Sequence, residues 1–356
     1  MNLDPYKALA ERLDSLPNGF PATAEGVELK LLSKLFTPEE ARLAASLKDA
    51  PEIPERIAAR IDANPEELRL QLKGMTKRGL IEASRTDDGL AYSLMPFVVG
   101  IYEMQANSID AELARLFETY YQQAFRQVFK AQPSFHRVIP VGESVRVDFQ
   151  IQPYENVTSI LDKVHSWGVI DCICRKQKAL IGDPCFHPLD VCMVLNEQPG
   201  AFDHTPAIKP LTRDEASQTL HRAAKAGLVH TVSNNQKGVW YICNCCTCSC
   251  GLLRGIAEMG VANVVARSEF VNRVDADLCL GCDVCTSYCQ FGALSVADMA
   301  KVDEIRCVGC GLCVLACPEG ALGLERRPED EIKPPPVNES DWKAARAIAR
   351  EIETRS

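Results

Sequence analysis

An α+β fold built as successive domains is predicted for this chain of 356 residues, and three observations predict it. None of the 17 cysteines precedes Cys172, so the first half is a different kind of domain from the second. Helix caps, apolar runs and a tight turn follow one another across residues 28–95. Near the C-terminus a block of residues recurs without a gap at a fixed offset, Cys279 to Cys307 being one of the matched pairs.

The length suits two or three domains of roughly 100–200 residues each. With 46% hydrophobic and 24% charged residues, the chain can build a core without cysteine staples. A net charge of −9 argues against a general nucleic-acid binder and suits a protein that meets basic surfaces. Met1 to Leu16 contains Asp4, Glu11 and Asp14 and no apolar h-region, which excludes a signal peptide. Leu3, Leu9, Leu13 and Leu16 instead suit one face of a short helix. The longest apolar stretch, Leu94 to Tyr102, is too short to cross a bilayer. A cytoplasmic location is therefore expected, where thiols stay reduced and cysteines serve as metal ligands more readily than as disulfides.

Residues 28–95 read as three helices and a hairpin. Thr37-Pro38-Glu39-Glu40 places a Thr cap, a Pro at the first helical position and a Glu at the third; Asn64-Pro65-Glu66-Glu67 repeats the arrangement with Asn. Gly79 closes the second of these helices. Leu80 to Ala83 and Leu90 to Leu94 form strands about Asp88-Gly89. Such an order resembles a winged-helix domain, here over residues 1–100. Two functions follow for it, DNA recognition or partner docking. Pro65-Glu66-Glu67 puts carboxylates where base contacts are made, and residues 28–95 carry 11 basic and 12 acidic side chains, although Lys73, Lys77 and Arg78 can reach phosphate. Docking is the expectation.

A helical connector follows over residues 101–156, with a long helix across 103–130 and a β-prone piece from Val138 to Gln152. Residues 157–268 form a cysteine-rich domain. It holds a helix capped by Thr212 and Glu215 and closed by Gly227, then a hairpin of Leu228 to Ser233 and Val239 to Ile242 turning over Asn234-Asn235. The repeat module occupies 269–326. A Pro-rich linker, Lys333 to Pro336, and a charged helix from Asp341 to Thr354 complete 327–356.

The repeat pairs Val274-Asp275, Cys279, Gly281, Cys282, Cys285, Cys289 and Gly292-Ala293-Leu294 with Val302-Asp303, Cys307, Gly309, Cys310, Cys313, Cys317 and Gly320-Ala321-Leu322. Each half is C-x2-C-x2-C-x3-C. Three cysteines in such a loop converge on three corners of a cubane, and the fourth corner needs a thiolate from elsewhere. These runs resemble those of bacterial-type ferredoxins with two 4Fe–4S clusters, in which the fourth cysteine ligates the other cluster. One cluster is then expected on Cys279, Cys282, Cys285 and Cys317, the other on Cys307, Cys310, Cys313 and Cys289, each fourth cysteine beginning a helix that leads away. Gly281, Gly309 and Gly311 let backbone approach the cluster. Paired zinc sites are the alternative, though zinc ribbons use separated C-x2-C knuckles. One departure is visible: Cys317 precedes Pro318 as in ferredoxins, but Cys289 precedes Gln290.

Nine cysteines remain: Cys172, Cys174, Cys185, Cys192, Cys243, Cys245, Cys246, Cys248 and Cys250. All nine are candidate metal ligands. In an extended chain Cys243 and Cys245 share one face and Cys246, Cys248 and Cys250 the other, so the strip can serve two centres or fold around one. Arg175 and Lys176 beside the first pair lower thiolate pKa and balance a thiolate-ligated centre. The combination of Cys172-Ile173-Cys174-Arg175 with Cys243-Asn244-Cys245-Cys246 resembles uncharacterised multi-cluster iron–sulfur proteins of anaerobes. One or two further Fe–S clusters are expected, with structural zinc and a reactive thiol relay as alternatives. His187, between Cys185 and Cys192, is a candidate ligand, with a surface or capping role as the preferred reading, and His165, near Cys172, is open to the same two readings.

Neither G-x-G-x-x-G, G-x4-G-K-[ST] nor H-E-x-x-H occurs, so NAD or flavin chemistry and nucleotide hydrolysis have no support. The expected function is single-electron transfer to or from a partner oxidoreductase or carrier, without a catalytic residue of its own. Two alternatives stand: an Fe–S redox-sensing regulator using the winged helix, and a reductase with a substrate site at Cys243–Cys250.

Overall fold

Pairing and burial follow the capping and periodicity signals closely in this computed structural model, which describes residues 4–144, 152, 154–203, 205, 207–261 and 263–350. Contacts divide the chain into two units. The first is Met1–Ala131 with Leu180–Asp183 and Arg346–Ser356; the second is Gln132–Ala179 with Pro184–Ala345.

The first unit begins with α1 (Pro5–Asp14), whose Leu9 and Leu13 are buried, as is Leu16 just beyond it; Leu3 lies outside the described residues. Next come α2 (Val27–Leu35), α3 (Pro38–Ser46), α4 (Pro54–Ile61) and α5 (Pro65–Lys77). Thr37 and Glu40 form a reciprocal capping box at α3, and Asn64 accepts from the amides of Glu66 and Glu67 at α5. Four helices thus stand where three were expected. The additional one, α4, starts at Pro54 with Ile53 as its cap and no side-chain capping bond. Strands β1 (Glu82–Thr86) and β2 (Gly89–Ser93) pair antiparallel about Asp87-Asp88, and Glu52 bridges to Tyr92. The long helix α6 (Ala111–Lys130) starts later than 103, where Asp110 accepts from the Leu113 amide at 2.8 Å. The buried Arg346 side chain donates to the carbonyls of Pro17, Val128 and Ala131.

The second unit is organised by a seven-stranded sheet. Its members are β3 (His136–Val138), β4 (Ser166–Ile170), β5 (Cys192–Asn196), β6 (Lys209–Leu211), β7 (Val229–Ser233), β8 (Tyr241–Cys245) and β9 (Val265–Ala266), in the order β6-β4-β5-β8-β7-β3-β9. All pairs are antiparallel except β3 with β9. Of the β-prone piece from Val138 to Gln152, residues 145–151 lie outside the described residues. Helices α7 (Val157–Leu161), α8 (Ile173–Leu180, all but its last residue), α9 (Arg213–Lys225) and α10 (Gly251–Ala257) belong to this unit. α9 carries the expected Thr212–Glu215 capping box and ends before Gly227, whose φ of +75° suits a helix stop. Ile139, Ile160, Leu161, Met193, Leu195, Leu220, Val232 and Ile242 form the core of the sheet.

The repeat module is closed by β10 (Phe270–Val274) pairing antiparallel with β13 (Leu322–Arg326). Between them lie α11 (Val284–Tyr288), β11 (Leu294–Val296), β12 (Ala300–Val302) and α12 (Leu312–Ala316). The Pro-rich segment then returns to the β7–β8 loop. Pro336 and Pro335 carbonyls accept from the Gln236 amide at 2.9 Å and side chain at 2.8 Å, so the linker is strapped rather than free. The last helix, α13, covers Glu339–Ala349. No helix among the described residues is long and apolar enough to cross a membrane.

Candidate metal centres

Two hollows of similar size open inside the repeat module. The first, about 340 Å³, is lined by Cys279, Cys282, Cys285 and Cys317. The second, about 360 Å³, is lined by Cys307, Cys310, Cys313 and Cys289. Each therefore brings together three thiols of one run and the fourth thiol of the other. The short helices deliver that crossing: α11 ends at Cys289 and α12 at Cys317, both in extended backbone. Each fourth cysteine ends a helix rather than beginning one. The three-residue spacer is consumed by a single helical turn, and the extended backbone then swings the thiol past the helix end.

The backbone fits a cubane in both hollows. Gly281 and Gly309 have φ of +65° and +70°, and a Cβ at either would run into a carbonyl oxygen, that of Asp298 or of Phe270. Amides of Ala293 and Ala321, equivalent in the repeat, donate to Cys289 Sγ at 3.2 Å and Cys317 Sγ at 3.3 Å. The Ala300 amide donates to Cys279 Sγ at 3.4 Å. Such N–H···S bonds raise the potential of a thiolate-ligated cluster. Burial pushes the Cys310 thiol up to about 12 and raises Cys285 and Cys313 as well, so loading iron must displace protons.

The nine central cysteines separate into two sets. Cys172, Cys174, Cys250, Cys245, Cys243 and Cys192 form a closed ring of neighbouring thiols, in which each shifts the titration of the next and the last returns to the first. Strand order explains it. β5 and β8 are neighbours in register Met193↔Ile242, which sets Cys192 beside Cys243, and period two keeps Cys245 on the face of Cys243. Cys250 joins that face although strict alternation assigns it to the other. The strand ends at Cys245, and the turn Thr247–Ser249 breaks the period before Cys250 caps α10.

The second set is Cys185, Cys246 and Cys248, whose sulfurs all lie within 4.8 Å of one another. Arg175 belongs to both sets. It is 2% exposed, and its Nη1 donates to the Asn244 carbonyl at 3.1 Å and approaches Cys246 Sγ at 3.8 Å. Its Nε and Nη2 have no partner. A buried guanidinium with unmet donors calls for an anion, and thiolates bound to metal supply one. The neighbouring Cys174 and Cys192 thiols, together with the Arg175 charge, hold the Cys172 thiol well below its ordinary value.

Gln290, the departure from the Cys-Pro pattern, links the two cysteine regions. Its Oε1 accepts from the Thr247 amide at 2.7 Å and from Thr247 Oγ1 at 3.3 Å. Its Nε2 donates to the Gly227 carbonyl. Thr247 had no sequence signal beyond lying between Cys246 and Cys248. Burial and the Arg175 charge push the His187 imidazole below its ordinary value.

Residues 273–295 and 300–323 match the 4Fe–4S binding domain family, one match on each half of the repeat. Residues 273–323 are therefore a ferredoxin-like 4Fe–4S binding domain, and the chain carries an iron–sulfur electron-transfer module. No curated protein matches the chain.

Proposed function

We propose that this protein is a one-electron carrier in which two cross-ligated 4Fe–4S clusters exchange electrons with a third Fe–S centre in the six-thiol ring. The observation that carries the reading is the lining of the two hollows, three thiols from one run and one from the other. When bound, each cubane supplies one-electron chemistry between ferric and ferrous states. The chain supplies thiolates, exclusion of water and N–H···S bonds. The Gln290–Thr247 link supports a route from the second cluster, through the turn after β8, to the ring. Cys289→Ala should remove the cluster held by Cys307, Cys310 and Cys313 and leave the other, read as a loss of about 4 iron atoms per chain and of one of two electron-paramagnetic signals. Selective loss of the Cys279 cluster would refute the assignment. The ring centre predicts about 12 iron atoms per chain, where the ferredoxin module alone gives about 8.

The partner is a separate oxidoreductase or carrier that meets the first hollow. Leu278, Leu280 and Val284 are exposed there, beside exposed Asp277, Asp283, Asp298 and Glu319. An apolar patch rimmed by carboxylates suits a partner with a basic face. The N-terminal unit is read as a winged-helix-like docking domain, supported by α4, α5, the β1–β2 hairpin and the Glu52–Tyr92 bridge. Its basic side chains are largely committed: Arg78 to Glu40, Arg69 to Glu55, and Lys48 and Arg60 to Glu52. The full chain should show no sub-micromolar binding to mixed-sequence duplex DNA at low salt, where electrostatic binding is strongest; such binding would favour the redox-sensing regulator.

A further inference from the structure

We infer that Cys185, Cys246 and Cys248 form a mononuclear zinc site of three thiolates, separate from the iron–sulfur centres, with its fourth position open to an exogenous ligand. The inference goes beyond the electron-transfer reading and does not depend on it.

Spacing is the first argument. A tetrahedral ion with metal–sulfur bonds of about 2.3 Å sets its ligand sulfurs about 3.8 Å apart. Cys185 Sγ and Cys246 Sγ are 4.0 Å apart, and all three sulfurs fall within 4.8 Å of one another. Among the described residues no other three thiols do so. Around each ferredoxin hollow no three of the four thiols come that close. In the six-thiol ring no three sulfurs come within that distance of one another. The trio has no room for four irons and four sulfides, and it closes on a single ion.

Shape and charge give the rest. Cys246 is fully buried and packs with Val191, Ala223 and Leu228, with Cys185 against the same cluster. Cys248 is exposed. The site thus has an apolar floor and one side facing water. Among the described residues no histidine nitrogen or carboxylate oxygen lies within 4.8 Å of all three sulfurs, so the fourth ligand comes from solution: water, or a small thiol. Three thiolates and one Zn²⁺ leave a net charge of −1, which Arg175 balances from 3.8 Å. Thiolate ligands select soft and borderline metals, and a three-ligand site with an open position is the form in which zinc stays reactive rather than sealed.

The test is metal analysis of the full chain purified without oxygen, for zinc, iron, copper and sulfide together. The expected result is about one zinc per chain, by the single tetrahedral site argued above. Cys248→Ser and Cys185→Ser should each lose that zinc while iron stays unchanged. Cobalt loaded in place of zinc should show the visible bands of a tetrahedral thiolate complex, and these should shift when a small thiol is added. Zinc retained in both variants, copper in its place, or a fall of about 4 iron atoms per chain in Cys248→Ser would overturn the site. Cobalt bands that ignore added thiol would overturn its open position. The parent zinc count and cobalt spectrum decide the matter even where a variant fails to fold, and failure of the electron-transfer reading would appear separately in the iron count.

Discussion

Replacing Gln290 by alanine removes three hydrogen bonds in one step and leaves the Thr247 amide and the Gly227 carbonyl without their partner. A buried polar group left unsatisfied costs about 1–3 kcal/mol. Both groups here are part-buried, so the low end of that range, about 1–1.5 kcal/mol, applies to each, for a total of about 2–3 kcal/mol. For a cooperative unit of roughly 200 residues each kcal/mol moves the melting temperature by about 2–4 °C, so Gln290→Ala should melt about 5–10 °C below the parent. The assay is anaerobic thermal unfolding of the metal-loaded chain by circular dichroism. Gln290→Glu serves as the companion variant, since it keeps an acceptor for Thr247 but turns an oxygen toward the Gly227 carbonyl, and it should be no more stable than the alanine variant. Flash reduction of the ferredoxin clusters, followed by the rate of equilibration with the central centre, reads the functional part. A melting temperature within about 1 °C of the parent, against the shift expected for lost buried bonds, would refute the energetic argument. A lowered melting temperature with an unchanged equilibration rate would leave the link structural and remove it from the electron route.

Gly309→Ala combines a left-handed backbone penalty of about 1–2 kcal/mol with an overpacking cost of about 1–3 kcal/mol against the Phe270 carbonyl. Gly320→Ala has a φ of +63° and nothing within 4 Å, so it carries the backbone penalty alone; iron analysis should show the second cluster lost only in the first variant, and equal retention would refute the fit. His136 and His230 are buried neutral, pushed down to about 3 and about 4 from 6.5 by burial. Their contribution is present above 6.5 and is lost as pH falls toward those values, because the unfolded chain takes up protons that the folded chain refuses. Near pH 5 that amounts to about 2 kcal/mol each. Glu155, pushed up to about 7 by burial, works in the opposite sense over part of the window, so the difference between parent and His136→Phe in denaturant unfolding is the quantity to follow, and an unchanged acid slope would contradict it.

The ferredoxin module was legible because cluster ligation fixes spacing in sequence as firmly as in space, and the repeat showed it twice. The capped helices α3, α5 and α9 were legible because Thr37, Asn64 and Thr212 announce themselves locally. Helix α4 was not, since Ile53 offers no capping side chain. The pairing of Asn234-Asn235 with a tight turn was only approximate, as the loop runs on to Trp240 before β8 begins. The split of nine cysteines into a ring and a trio had no local signature. It depends on β4, β5 and β8 being neighbours and on a strand ending one residue before Cys246, and both are properties of the whole sheet.

The pairing of β10 with β13 places the two ends of the ferredoxin module side by side, Phe270 opposite Arg326, within the roughly 5 Å that separates paired strands. A module whose entry and exit adjoin can be carried into a host by recombination without stretching the host chain, because it spans no more distance than a tight loop. The host strand β9 lies just upstream, and the strapped prolines downstream return to the β7–β8 loop of the same sheet. The architecture is that of an inserted cassette.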